Sequence, residues 1–137
     1  MTKVPSRCFV VHEQGVDREG WDDAIRGKVE WSTLLSGDRS PTSQLTLGVA
    51  ELGPGQPAPF LPHRHAQAEA YYVLSGEGVV HLDGVEHAVR AGSSVFIPGG
   101  VWHGARNSGS GELRLLYVFA ADSFSDVHYD FPPPPRE

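Results

Sequence analysis

The chain has 137 residues, a formal net charge of −6 and 39% hydrophobic residues, which suits one soluble domain large enough to bury a core. Only two of the 11 basic residues are lysines and no basic stripe is present, which disfavours nucleic acid and anionic membrane surfaces as partners. The 16 glycines and 11 prolines favour short strands joined by turns over long helices.

Short runs of alternating or β-branched residues recur along the chain, and each predicts a strand. In chain order they cover residues 7–12, 29–36, 44–52, 69–74, 78–83, 85–90, 94–97, 101–107 and 113–120. Only residues 17–26 have any helical character, and because Gly20 and Gly27 bracket them we expect a single turn or an irregular lead-in. Asp83-Gly84 predicts a two-residue type I′ hairpin. Short strands with polar turns predict an all-β fold, an antiparallel sandwich or barrel.

The predicted elements divide a single domain into three parts. Residues 1–43 form N-terminal strands and a lead-in, residues 44–121 form the barrel, and residues 122–137 form a C-terminal extension with a proline-rich tail. The strand at residues 8–12 could pair with an edge strand of a second copy, so we expect a homodimer. Cys8 is the only cysteine, which excludes an internal disulfide. We expect it to be a small buried residue on this first strand.

The hydrophobic pattern also bears on location and on the kind of partner. The N-terminal apolar run, residues 8–11, is too short for a secretory signal. No stretch of the sequence reaches the length of a membrane span. We therefore expect a cytoplasmic protein whose partner is a small-molecule substrate.

Four residues of the types that bind metals recur at close spacing. His63 and His65 share one face of an extended strand, because side chains alternate with a period of two. Glu69 follows four residues later, and His103 follows a tight turn at residues 98–102. Three imidazoles and one carboxylate suit Mn, Fe, Co, Ni, Cu or Zn. The alternative is a set of isolated, hydrogen-bonded histidines, but the spacing of four such residues favours a metal centre with room left for a ligand.

Aromatic residues are expected around this centre. Tyr71 should share the face of Glu69 and point into the same cavity, as a candidate acid, base or orienting group. The alternative for Tyr71 is an aromatic ring that only fills space in the barrel. Tyr72 should face the opposite way, in the core or at an interface. Tyr117 and Phe119 are predicted to form an apolar wall.

The same positions resemble the two sequence motifs of the cupin family. The first motif is similar to His63-x-His65-x3-Glu69-x6-Gly76, except that Pro57 stands where the family usually has a glycine. The second motif matches Gly92-x5-Pro98-x-Gly100-x2-His103-x3-Asn107. The motifs cover residues 62–107, and flanking strands extend the resemblance to about residues 45–119.

The resemblance implies a double-stranded β-helix, or jelly-roll barrel, of two packed antiparallel sheets. It also implies a divalent transition metal (Fe, Mn, Ni, Co or Zn) held by the three histidines and Glu69. Gly76 and Gly92 should then occupy turns that need positive φ. Asn107 should close a turn rather than touch substrate.

As an activity, the resemblance implies a metal-dependent cupin acting on a small oxygenated metabolite. The reaction would be that of a dioxygenase, or of a redox-neutral lyase, isomerase or decarboxylase. Glu69-Ala70-Tyr71 is similar to a Glu-x-Tyr pattern of small cupin lyases that cleave dimethylsulfoniopropionate, a pattern common across small cupins. The alternative is a non-catalytic cupin that binds a metabolite or a sugar.

Overall fold

The computed structural model describes residues 8–55 and 62–133. Within them, nine strands form two antiparallel sheets, which confirms the all-β jelly roll. The large sheet has the order β1-β2-β3-β9-β4-β7 and the small sheet the order β6-β5-β8. The strands are β1 Arg18–Asp23, β2 Gly27–Leu35, β3 Thr46–Leu52, β4 Glu69–Ser75, β5 Glu77–Leu82, β6 Val85–Arg90, β7 Ser94–Ile97, β8 His103–Asn107 and β9 Leu113–Phe119.

The core lies on the inner face of the large sheet. Along β9, Leu113, Leu115, Tyr117 and Phe119 are buried, while the residues between them lie on the outer face. This alternation is the period-two pattern of a strand with one buried face. Strand β9 pairs with both β3 and β4, so it places the inner residues of three strands side by side in rows.

The N-terminal predictions were wrong in two places. Residues 8–12 form no strand, and Cys8 is exposed rather than buried. Val10 is 99% exposed and Phe9 is 41% exposed, so within the described part of the chain this apolar run is not part of the core. Residues 17–26 hold the strand β1 instead of a helical turn or an irregular lead-in. Pairing with β2 and packing of Trp21 on Trp31 decide this outcome, since β1 has few apolar residues of its own.

The predicted turns are confirmed. Asp83 and Gly84 have φ of 47° and 85°, as a type I′ hairpin requires. Gly76 and Gly92 have φ of 88° and 94°. Asn107 closes a turn, since its amide donates to the carbonyls of Leu52 and Gly111 and its oxygen accepts from the Gly109 N–H. Pro57 lies outside the described residues.

The segment after β9 returns across the mouth of the barrel as a C-terminal strap, residues 122–131. It contains a short 3-10 helix, Phe124–Asp126. Arg64 and Asp130 exchange two backbone hydrogen bonds of 3.0 and 2.8 Å, and the Gln67 side chain donates to the Asp126 carbonyl. The strap is therefore tied to the loop that carries His63 and His65.

Candidate metal centre

The structure brings the three predicted histidines together. The backbones of His63 and His103 form an isolated antiparallel bridge with two hydrogen bonds of 2.8 Å. One ring nitrogen from each of His63, His65 and His103 lies within 4.8 Å of the others. His65 and His103 are buried and His63 is partly exposed. The bridge explains why residues 40 positions apart in sequence share one site.

Glu69, the predicted fourth ligand, lies beside two of the three histidines. It is the first residue of β4 and pairs with Ile97 of β7 on one side and Phe119 of β9 on the other. The side chains of these three residues form one row on the inner face of the large sheet. Its Oε1 lies 3.1 Å from His65 Nε2 and 3.0 Å from His103 Nε2. Glu69 is only 5% exposed.

The hydrogen bonds of the rings test whether these residues fit a metal. His65 Nδ1 lies 3.0 Å from the Gln67 carbonyl and His103 Nδ1 lies 2.9 Å from the Val101 carbonyl. A carbonyl can only accept, so each Nδ1 carries a proton, and in its neutral form each ring presents an Nε2 lone pair. In that form both lone pairs face the Glu69 carboxylate, which is also an acceptor. A cation between them removes this repulsion.

The distances between the ligand atoms also fit a bound cation. Two ligands bound at right angles, each about 2.1 Å from one ion, lie about 3.0 Å apart. The separations of 3.1 and 3.0 Å from Glu69 Oε1 to the two Nε2 atoms match this value. The donor set therefore fits a divalent transition metal, whose identity the residues do not select.

The electrostatics of His63 favour the metal-binding form. Burial lowers the pKa of His63 well below its usual 6.5, and the neighbouring His103 and His65 lower it further. A depressed pKa keeps this imidazole neutral at pH 7. Neutral imidazole is the form that binds a metal.

Tyr71 lies one row further along the inner face, as predicted. It is 7% exposed, and its ring centre is 6.3 Å from that of His103. Burial, the Glu69 carboxylate and Tyr129 all raise the pKa of Tyr71 well above 10. Tyr72 faces the opposite way from Tyr71, as predicted; at 45% exposed it is not in the core, and the interface alternative stays a prediction.

Aromatic rings line the centre on two sides. Phe119 lies 5.0 Å from His65 between ring centres, and both Phe119 and Tyr117 are buried, which confirms the predicted wall. Tyr129 of the strap lies 5.1 Å from His63 and 5.3 Å from His65. Phe131 lies 5.9 Å from His63. The sequence analysis missed both strap residues, although their alternation around Asp130 is a strand-like signal.

The turn before β8 contacts the loop that carries His63 and His65, which we call the ligand loop. The Gly100 N–H donates to the His65 carbonyl at 2.7 Å. At Gly99, an added Cβ would fall on the Ala66 carbonyl oxygen, so the two segments touch through backbone alone. Arg64 points away from the metal centre and lies over the Trp102 ring at 4.5 Å. The turn before β8 therefore contacts the ligand loop at Arg64, His65 and Ala66.

Comparisons with known proteins agree with this architecture. The Cupin_2 model, described as a cupin domain, matches residues 48–119. The dimethylsulfoniopropionate lyase DddW of Ruegeria pomeroyi is 38% identical over 128 residues, 93% of this chain and 82% of that protein. The oxalate-binding protein of Thermotoga maritima is 33% identical over 94 residues, 68% of this chain and 76% of that protein.

A solved structure supports the same assignment. The crystal structure of a predicted oxalate decarboxylase from Thermotoga maritima superimposes with a TM-score of 0.69 at 29% identity. The superposition covers 82% of this chain and 99% of that one. The chain belongs to the cupin family. No helix in residues 8–55 and 62–133 is long and apolar enough to cross a membrane.

Proposed function

We propose that this cupin is a metal-dependent lyase that cleaves dimethylsulfoniopropionate or a closely similar short carboxylate. One observation carries the proposal: the 38% identity to a lyase of that name extends over 93% of the chain. A match of this length includes the ligand loop, β4 and the turn before β8. The three histidines and Glu69 supply a centre of the kind that such a reaction needs.

The reaction is an elimination. The substrate carries a sulfonium group on the carbon β to its carboxylate. A base takes a proton from the α carbon, and the C–H electron pair becomes the new C=C bond. The C–S bond breaks and its electron pair leaves on sulfur. The products are dimethyl sulfide, acrylate and the proton held by the base, so no oxidant is required.

Tyr71 is our candidate for the group that handles the α proton. It shares the inner face with Glu69, and its ring lies beside that of His103. Because its pKa is raised, its resting form is a neutral phenol that can orient a substrate oxygen by donating a hydrogen bond. A divalent cation bound by the three histidines and Glu69 would supply positive charge that favours the phenolate and polarises a substrate oxygen.

The test is an anaerobic assay with dimethylsulfoniopropionate. Samples are loaded separately with Fe, Mn, Ni, Co or Zn, and dimethyl sulfide and acrylate are measured together. We expect the two products in equal amounts from at least one loaded sample. Tyr71→Phe should lower kcat by about 100-fold or more with unchanged metal content, while Tyr72→Phe should match the wild type. Absence of both products from every loaded sample would refute the lyase.

A second candidate function is binding without turnover. The 33% identity to an oxalate-binding protein favours it, and the same centre could hold a small dicarboxylate. A binding protein should show saturable binding of oxalate and a raised thermal midpoint, with no change in the ligand. An oxygenase, in contrast, should consume oxygen together with its substrate.

A further inference from the structure

Aromatic rings gather at the mouth of the barrel, beside the partly exposed histidine of the metal centre. Trp21 of β1 contacts Tyr129 and Phe131 of the strap, with ring centres 5.1 and 5.8 Å away. Tyr129 and Phe131 stack on each other at 6.2 Å, with an angle of 24° between their planes. We call Trp21, Tyr129 and Phe131 the aromatic cluster.

The aromatic cluster is open to solvent and adjoins the metal centre directly. Its three residues are partly exposed, as is His63. The ring centre of His63 lies 5.1 Å from that of Tyr129 and 5.9 Å from that of Phe131. A ligand group on the solvent side of His63 is therefore within reach of both strap rings, without any passage through the core.

The faces of aromatic rings attract cations. A ring carries negative charge density on its two faces, and a cation within about 6 Å of the ring centre is stabilised. Trp21 already makes such a contact, since the Arg26 guanidinium lies 5.2 Å from its ring centre. Arg26 is paired in turn with Asp23, at 2.6 Å. Because Arg26 lies over Trp21, the rings that remain for a cationic ligand are those of Tyr129 and Phe131.

The strap adds negative charge at the same mouth. It carries Asp122, Asp126 and Asp130 but no lysine or arginine, in a chain whose net charge is −6. Arg64 offsets Asp130 only weakly, because their closest atoms are 3.4 Å apart and the two side chains are 44% and 67% exposed. This charge favours the approach of a cationic group and disfavours that of a dianion.

The alternative is that the aromatic cluster only packs the strap onto the barrel. A packing role requires apolar surface but no ring faces, so leucine would serve as well as phenylalanine at position 131. It also predicts that the charge of a ligand has no effect on binding. The two roles therefore differ in a property that can be measured.

We propose that the aromatic cluster is a subsite for an onium cation, a sulfonium or quaternary ammonium group, on a substrate whose carboxylate lies at the metal centre. The inference rests on the proposed lyase function and names its substrate class, the short zwitterionic onium carboxylates. In dimethylsulfoniopropionate, two carbons separate the sulfonium from the carboxylate, so the cation falls among the side chains next to the metal ligands. Tyr129 and Phe131 contact this cation, and Trp21 is a positioning residue that holds the two rings through its edge-to-face contacts.

Two ligands of the same shape test the subsite. β-Alanine betaine ends in a quaternary ammonium cation, and β-tert-butylpropionate has carbon in place of that nitrogen, so only the charge differs. Calorimetric titration of the metal-loaded protein gives the dissociation constant of each. We expect the wild type to bind the cationic ligand about tenfold more tightly than the neutral one. Phe131→Leu should reduce this preference to about threefold or less, with unchanged metal content and with the affinity for the neutral ligand changed by less than about twofold.

Two further variants serve as controls. Phe131→Tyr keeps an aromatic ring at this position and should keep the preference for the cationic ligand. Phe96→Leu removes a ring from the outer face of the large sheet, where Phe96 is 69% exposed, and should match the wild type.

The outcomes separate this inference from the lyase proposal. Equal affinities of the wild type for the two ligands, or no binding of β-alanine betaine, would overturn the subsite. An equal loss of affinity for both ligands in Phe131→Leu would also overturn it, because that is the result of a packing role. A retained preference for the cationic ligand without cleavage of dimethylsulfoniopropionate would overturn only the lyase.

Discussion

At the scale of the residue, Glu69 decides the chemistry of the centre. When His65 and His103 are neutral, its carboxylate accepts no hydrogen bond from them, because each ring gives its single N–H to a backbone carbonyl. The carboxylate and the two Nε2 lone pairs therefore form a buried group of acceptors within 3.1 Å. Such a group is costly without a cation and favourable with one.

The variant Glu69→Gln tests this description. The glutamine amide can donate hydrogen bonds to the Nε2 lone pairs, so the metal-free variant should be more stable than metal-free wild type by about 1 kcal/mol. Its metal affinity should fall by roughly 10- to 100-fold or more. Urea unfolding of both metal-free proteins and metal titration measure the two effects. A less stable metal-free variant would contradict the repulsion between the carboxylate and the rings.

Gly99 provides a second test, because it holds the ligand loop by close backbone approach. A Cβ in Gly99→Ala would fall on the Ala66 carbonyl oxygen and push the loop of His63 and His65 away. We expect a loss of about 1–3 kcal/mol in the free energy of unfolding, together with weaker metal binding. Gly111→Ala is the matched control, since its Cβ would meet nothing within 4 Å. Equal metal affinities for the two variants would show that the contact does not position the ligands.

At the scale of the element, sequence patterns predicted the barrel strands better than the chain ends. Strands β6 and β7 lie where their alternation and flanking turns predict them. Burial follows the alternation along β7, whereas β6 buries only Val89 and is held by its hairpin pairing with β5. Strand β1 was missed because its sequence is largely polar. It is held by pairing with β2 and by the Trp21–Trp31 contact, neither of which periodicity reveals. The apolar run at residues 8–12 predicted a strand that does not form. An apolar run forms a strand only where a neighbouring strand is available for pairing.

The same limit applies to the candidate site. The two motifs predicted which residues converge, because their spacing reflects turns and strand faces. Tyr129 and Phe131 come from a strap that folds back over the barrel, and its docking depends on pairing with Arg64. Contacts between distant segments of this kind are decided by tertiary packing rather than by local pattern.

The ion pair of Glu19 and Arg39 ties β1 to the loop before β3, and its pH dependence can be predicted. Arg39 lowers the pKa of Glu19 below 4.5 in the folded state, so the unfolded chain binds a proton first as the pH falls. The stabilisation is therefore present above about pH 4.5 and is lost as the pH falls through the folded pKa. Glu19→Gln should cost about 1–2 kcal/mol at pH 7, discounted because Arg39 is half exposed.

Unfolding by urea at pH 7 and at about pH 3.5 measures this effect. The difference between wild type and Glu19→Gln should shrink at the lower pH. Glu30→Gln is the control, because the Arg18–Glu30 pair is more exposed and should contribute less than about 1 kcal/mol. A difference that stays constant with pH would show that the loss comes from packing and not from the charge.

At the scale of the whole molecule, the two sheets organise the interior as a sequence of rows. The metal centre occupies the row of Glu69, and the next row along the inner face carries Tyr71 and Tyr117. The strap adds Tyr129 over the histidines. The metal centre and the candidate acid or base, Tyr71, therefore lie in adjacent rows along one wall of the barrel.

The homodimer stays a prediction, but it now depends on a different surface. The strand at residues 8–12, which was expected to pair with a second copy, does not form in the described structure. Apolar side chains on the outer face of the large sheet, Tyr72, Leu74 and Phe96, are exposed in the single chain, as a subunit interface would require. Sedimentation velocity at micromolar concentration should show two chains per particle. A monomer under these conditions would remove the prediction.

The central claim is that His63, His65, Glu69 and His103 together hold one divalent transition metal ion. The most direct test is elemental analysis of the reconstituted and dialysed wild type beside His103→Ala, with circular dichroism to confirm that both are folded. We predict about one ion per chain in the wild type and a small fraction of that in the variant. A folded His103→Ala variant that retains as much metal as the wild type would contradict the account.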